Sequence, residues 1–293
     1  MHAPLRVRAL ATLTLALWLG GCCAEQPAPA PAQQEAPSTA SVASAPPGAP
    51  PRAIQTLNAT LWLQQSAEAQ ALTRQAYALA RLRLDEALAD PTWTAAEEQP
   101  DDFAGLPPAV IVDVDETLLD NSYYQARAIL AGQEFDQAAW TAWCEEAVAP
   151  AIAGAKEFCI QASQRGVTVF YVTNRIEVEK EATRRNLAAL GFPLAEGVDV
   201  LLCKQGKSDK GPRRRAIAER YRVLLLIGDS ATDFSSAFGR QDNPTRARIA
   251  AEAAAMWGTR WVVLPNPMYG SWADNVVERD PVEDRLKVLR TRP

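Results

Sequence analysis

Five short apolar runs constrain this chain more than anything else in it. Residues 110–114, 167–172, 200–203, 223–227 and 261–264 are nearly continuous in Val, Ile, Leu and aromatic residues instead of alternating with polar ones. A strand with one wet face alternates, whereas a strand covered on both faces does not need to. Helical stretches lie between the runs. One starts at Pro150 and stops before Gly166, with Pro suited to a first turn and Gly to a C-terminal stop. Others cover about 177–190, 212–221 and 246–257. Alternating buried strands and helices predict an α/β fold with a doubly wound parallel sheet. Residues 54–88, rich in Ala, Leu, Gln and Arg, predict one helix ahead of the sheet, with Leu72, Ala76, Leu79 and Ala80 on one face. Residues 118–149 break the alternation. They carry Tyr123, Tyr124, Phe135, Trp140 and Trp143 and predict a small helical cap inserted after the first strand.

The N-terminus reads as a targeting segment. Arg6 and Arg8 precede an eleven-residue apolar stretch, residues 9–19, too short to span a bilayer but suited to a signal peptide. It ends in Leu19-Gly20-Gly21-Cys22, which resembles a bacterial lipobox. Residues 1–21 are therefore expected to be removed, and Cys22 to carry a lipid. Residues 22–52, dominated by Ala, Pro, Gln and Ser, predict a disordered tether. The folded domain is expected over 53–293. Cys144, Cys159 and Cys203 lie inside it without metal-ligand spacing. An exported compartment permits a disulfide, and the sequence leaves the pairing open.

Two features narrow the chemistry. The single histidine is His2, at the extreme N-terminus. Serine triads, His-paired cysteine nucleophiles and His-rich zinc sites all need one in the fold. The net charge is −5, and the one basic run, Arg213-Arg214-Arg215, is expected to be a solvated helix face. A nucleic-acid surface is not expected.

Ligands of a doubly wound sheet bind where its strands end. The first strand run leads into VIVDVDETLLDN, residues 110–121. Asp113 and Asp115 are two residues apart and share one side of an extended chain. Thr173, Asn174 and Arg175 follow the second run, and Asp229 and Asp233 follow the fourth. Carboxylates gathered at one edge repel unless a cation sits among them, and an all-oxygen donor set favours Mg²⁺. Such a site suits phosphoryl transfer, with one carboxylate attacking phosphorus and another moving the proton. Glu116 and Asp120 are expected to bond backbone amides around this segment.

DVDET (113–117), VTNR (172–175), KSDK (207–210) and GDSATDF (228–234) resemble, in order, the four motifs of the haloacid dehalogenase (HAD) superfamily. The longer DVDETLLDNSYY, GDSATDF and PNPMYGSW (265–272) are similar to the class C acid phosphatases, bacterial lipoprotein nucleotidases of that superfamily. The resemblance covers about residues 62–272. It implies a HAD-like Rossmannoid core, Asp113 as nucleophile and Asp115 as general acid/base. It implies Thr173 as a donor to the phosphoryl group, and Mg²⁺ bound by Asp113, Asp115 (through its backbone carbonyl), Asp229 and Asp233. Lys210 is the expected motif III lysine, with Lys207 second. Ser230 stands where the family usually has Asn.

The implied activity is Mg²⁺-dependent hydrolysis of nucleoside 5′-monophosphates and other phosphomonoesters through an aspartyl-phosphate. Two alternatives stay open: a broad acid phosphatase or phosphotransferase without nucleotide preference, and a lipid-anchored module without turnover. Asn174, Trp140 and Tyr269 are the candidate substrate contacts, and both rings could instead simply pack in the fold. The expected partners are a small phosphomonoester, a membrane through the lipid alone, and a second copy in a homodimer. The expected location is the bacterial outer membrane, with the domain in the periplasm or at the cell surface.

Overall fold

The computed structural model describes residues 56–275. The signal segment, Cys22 and the whole tether fall outside them. Within them lies a five-stranded, wholly parallel sheet of order β3-β2-β1-β4-β5. The strands are β1 (Pro108–Val112), β2 (Thr168–Ile176), β3 (Leu201–Lys204), β4 (Arg222–Gly228) and β5 (Trp261–Val263). All seven residues of β4 are buried, as its unbroken apolar run requires. Each fully buried Leu or Val there contributes roughly 1.5–3 kcal/mol relative to exposure. Strand order reverses at β1, which has β2 on one side and β4 on the other. The crevice beyond the carboxyl end of β1 is thus the topological switch point, where such sheets bind ligands.

Two helices, not one, precede the sheet: α1 (Leu57–Gln65) and α2 (Ala67–Ala89). Ser66 is extended, and its hydroxyl accepts from the Ala69 amide at 3.0 Å, so it caps α2 and interrupts the run. The buried face of α2 is Ala69, Thr73, Tyr77, Ala80, Leu84 and Ala87, whereas Leu72 is exposed. The expected stripe was rotated because Thr73 and Tyr77 belong to the inner face, and a polar atom at each masks the apolar period. Tyr77 packs on Phe158 of α5 (Ala155–Gln164), with ring centroids 5.8 Å apart.

The expected cap is present as α3 (Ser122–Ala131) and α4 (Gln137–Glu146). Asp136 caps α4 by accepting from the Ala139 amide at 2.8 Å. Tyr124, Phe135 and Trp140 pack together, their centroids 5.0–6.3 Å apart. The remaining helices are α6 (Lys180–Leu190), α7 (Gly211–Ala218), α8 (Asn243–Glu252) and the single turn α9 (Ser271–Asp274). No helix among the described residues is long and apolar enough to cross a membrane. Cys144, Cys159 and Cys203 are buried free thiols.

The arginine run at 213–215 is not a solvated face. Arg213 and Arg214 are buried, and only Arg215 is exposed. Arg213 donates to the Thr173 carbonyl at 2.5 Å and to Asn174 Oδ1 at 2.8 Å. Arg214 leaves the helix toward the other side. It donates to the carbonyls of Thr232 and Asp233 at 3.2 and 3.0 Å and pairs with Glu98 at 2.7 Å. A guanidinium has five fixed donors, so a buried arginine can bind several backbone carbonyls at once. Helix α7 is thereby a strut between the carboxyl-terminal half of β2 and the loop after β4.

Candidate active site

Asp113 is the first residue past β1, and its amide still donates to the Ile227 carbonyl at 2.9 Å. That bond fixes the side chain at the mouth of the crevice. The next residues turn sharply. Glu116 has φ 55°, a left-handed conformation uncommon outside glycine. Its carboxyl oxygen Oε1 accepts from the Asn121 amide at 2.8 Å, and Asp120 Oδ1 accepts from the Ser122 amide at 2.9 Å. Both acids therefore brace the turn, as the sequence suggests. Tyr77 of α2 reaches the same turn and donates to the Thr117 carbonyl at 2.7 Å.

Lys210 is buried and bridges two acids. It donates to Asp113 Oδ1 and lies 2.6 Å from Asp233 Oδ1. Lys207 is exposed, so of the two lysines Lys210 is the one that lies against Asp113. Asp233 has neither oxygen free: Oδ1 faces Lys210, and Oδ2 accepts from the Ser230 amide at 2.9 Å. Its main geometric effect is to hold the 228–233 turn. Gly228 allows that turn, because a Cβ there would fall 2.3 Å from Asp233 Oδ2 and 2.6 Å from Asp233 Cβ. Ser230, at the departure from the usual motif, bonds Thr232 through its hydroxyl at 3.0 Å.

Asp113, Asp229 and Asp233 bring carboxylate oxygens within 4.8 Å of one another. Burial pushes the Asp113 carboxyl up to about 7, against the opposing charge of Lys210, with Asp233 and Asp115 adding to the rise. Asp229 is raised well above the usual carboxylate range, first by burial and then by Asp113 and Asp233. Burial favours a neutral Lys210, yet Asp113 and Asp233 outweigh it and hold the ammonium up at about 12. Three acids thus face one ammonium. The donor set is all oxygen, crowded and short of positive charge, which fits a hard divalent cation.

Asp115 points to the cap side of the crevice. It pairs with Arg175, whose side chain is 1% exposed against 17% for Asp115. The Thr173 hydroxyl donates to Asp115 Oδ2 at 3.2 Å. The structure thus brings Asp113, Asp115, Thr173, Lys210, Asp229 and Asp233 to one edge. Asn174 is exposed there, with its Oδ1 held by Arg213. Trp140 is half-buried in the cap, edge-on to Tyr124, and the Arg175 guanidinium lies 5.4 Å from its ring centroid. Tyr269 is 39% exposed in the loop after β5.

Several residues of the site escaped the sequence reading. Asn266, in the PNPMYGSW segment, donates to Asp229 Oδ2 at 2.8 Å. Asn121 donates to Asp115 Oδ1 at 2.9 Å. Arg175 was visible only as a residue at a strand end. Asn266 sits in a turn after a strand, and its place at the carboxyl edge of the sheet was the available signal.

Comparison with known proteins places this arrangement. Residues 30–272 match the family model of HAD superfamily subfamily IIIB, acid phosphatase. The class C acid phosphatase of Bacillus anthracis is 30% identical, with a TM-score of 0.73, over 82% of this chain and 99% of that one. A structure of that enzyme with tungstate bound is similar at 29% identity and TM-score 0.74, over the same shares. Acid phosphatase 1 of Solanum lycopersicum is 29% identical over 164 residues, 54% of this chain and 57% of that protein. The chain thus spans little more than half the length of this curated relative.

Proposed function

The chain belongs to the HAD superfamily, subfamily IIIB, the acid phosphatases, and from that premise we propose that it hydrolyses phosphomonoesters through a phosphorylated Asp113. The observation that carries this reading is the placement of Asp113. Its carboxylate stands at the end of the central strand, bonded by Lys210, with Asp115 two residues on and Asp229 and Asp233 beside it. A nucleophilic carboxylate needs an approach to phosphorus and groups that offset the phosphoryl charge.

The chain's own groups divide the work. Asp113 attacks phosphorus. Asp115 gives a proton to the leaving oxygen and later takes one from water. Lys210, held as an ammonium, offsets the charge on Asp113 and on the phosphoryl oxygens. Thr173 supplies a hydroxyl at the same edge. Asp229 and Asp113 would hold a divalent cation, for which we propose Mg²⁺, and Asp233 would keep their loop in place. When bound, that ion supplies positive charge that neutralises phosphoryl oxygens and the crowded carboxylates. Binding of tungstate, a tetrahedral oxyanion, by a relative of 29% identity supports an oxyanion site at this edge.

For the substrate class we propose nucleoside 5′-monophosphates. The acids and Lys210 meet only the phosphoryl group, so preference among esters must come from elsewhere. Tyr269 is exposed on the loop that Asn266 ties to Asp229, and is the better placed ring. One face of Trp140 is engaged by Arg175 and an edge by Tyr124, which favours a supporting role for it. A phosphomonoester panel assayed with and without EDTA tests the whole reading. Nucleotide hydrolysis that chelation abolishes and Mg²⁺ restores is expected. Turnover indifferent to chelation would refute the metal, and equal rates on all esters would leave an acid phosphatase without nucleotide preference.

We further propose that Cys22 carries a lipid that tethers the domain to the bacterial outer membrane. Cys22→Ser should abolish palmitate incorporation, and incorporation that persists would refute this.

A further inference from the structure

Asp115 is held by one of its two oxygens. Oδ1 accepts from Arg175 Nε at 3.0 Å, from Arg175 Nη2 at 2.8 Å and from Asn121 Nδ2 at 2.9 Å. A carboxylate oxygen has about two lone-pair sites, so three donors saturate it. Among the described residues, Oδ2 meets only the Thr173 hydroxyl, at 3.2 Å. The two donors are themselves fixed from behind. Arg175 Nη1 donates to the Thr183 hydroxyl at 3.0 Å, and the guanidinium rests over Trp140. Asn121 Oδ1 accepts from Trp143 Nε1 at 2.8 Å, which turns its amide toward Asp115. Arg175 is enclosed on all sides and presents no free surface to a substrate. Its contacts run to Asp115, the cap and α6.

We propose that Arg175, assisted by Asn121, is the positioning residue that pins Asp115 by Oδ1 and leaves Oδ2 as the oxygen that carries the protons of the reaction; this rests on the phospho-aspartate reading above. In the first half, an Asp113 oxygen bonds to phosphorus and the bond from phosphorus to the ester oxygen breaks. The ester oxygen takes the proton from Oδ2. In the second half, a water oxygen bonds to phosphorus and the bond to Asp113 breaks. The proton lost by water returns to Oδ2. The second half restores what the first removes, so no other acid is consumed. Free rotation of the carboxylate would present a bonded oxygen to the ester half of the time. Three donors converging on Oδ1, two of them from Arg175, prevent that, and an ammonium in place of the guanidinium would not supply the same fixed pair of donors.

The test compares leaving groups. The ester oxygen of p-nitrophenyl phosphate departs with little need of a proton, whereas that of glycerol 2-phosphate needs one. Steady-state kcat/KM reports only the steps through formation of the intermediate. Arg175→Met, Arg175→Lys and, as reference, Asp115→Asn are assayed on both esters with Mg²⁺, after each is checked for a cooperative melt. Arg175→Met and Asp115→Asn should each lose about a hundredfold or more on glycerol 2-phosphate. On p-nitrophenyl phosphate the loss should be tenfold or less. Arg175→Lys keeps the buried cation, and it decides the matter if Arg175→Met does not fold. Equal losses on both esters in a folded Arg175 variant, while Asp115→Asn keeps its split, would overturn the proposal alone. No split in Asp115→Asn would refute Asp115 as the acid, and the proposal with it.

Discussion

Asn266 donates its side-chain amide to Oδ2 of Asp229 at 2.8 Å, and its own Oδ1 accepts the amides of Met268 and Tyr269 at 3.0 and 3.4 Å. One side chain thus joins Asp229 to the loop that carries Tyr269. Partners of this kind orient metal-binding carboxylates, and losing one typically costs 10–100-fold in affinity. Asn266→Leu should weaken Mg²⁺ binding by about tenfold or more in a calorimetric titration without substrate. A folded variant with unchanged affinity would mean that the contact only shapes the loop.

The Arg214–Glu98 pair sits away from the reacting groups but sets the turn between them. Arg214 is 0% exposed at its side chain, and Glu98 is 9% exposed. Removing one partner of a buried pair leaves the other charge uncompensated and costs about 3–5 kcal/mol. Arg214→Met should lower unfolding stability by that amount in a urea titration. The exposed neighbour supplies the control, since Arg215→Met should change stability by no more than about 0.5 kcal/mol. Similar small effects at both positions would show the buried pair to be dispensable.

Tyr269 tests the substrate class. A ring that stacks on a nucleobase contributes roughly 1–3 kcal/mol. Tyr269→Ala should raise KM for nucleoside 5′-monophosphates about tenfold. KM for a small alkyl phosphate, which cannot reach the ring, should stay within about twofold. Equal rises would assign Tyr269 to the fold of its loop.

Much of this was legible in the sequence because it rests on local pattern. The buried strands announced themselves through unbroken apolar runs, and β4 is buried at every position. Asp113, Asp115, Thr173, Asp229 and Asp233 were placed by their positions just after those runs. The illegible part depends on partners distant in the chain. Glu98, which meets Arg214, is 116 residues away, and nothing near a GPRRR segment distinguishes a buried strut from a wet helix face. The Asn266–Asp229 bond spans 37 residues, and its asparagine reads locally as a turn former between two prolines. Likewise, the inward face of α2 is set by what lies beneath it. Tyr77 is drawn inside by Phe158 and by the Thr117 carbonyl, whereas Leu72 has no such neighbour and remains exposed.

The central claim is that phosphorus becomes bonded to Asp113. Its most direct measurement is acid quenching during turnover of a ³²P-labelled phosphomonoester, followed by proteolysis and mass spectrometry, because acyl phosphates survive acid far better than base. The label should reside on the peptide containing Asp113 and be absent from Asp113→Asn, whose turnover should fall by at least about a hundredfold, or roughly 2.7 kcal/mol in the barrier. Label on a different residue, or a deamidation-free Asp113→Asn enzyme that keeps more than about a tenth of wild-type turnover, would contradict it.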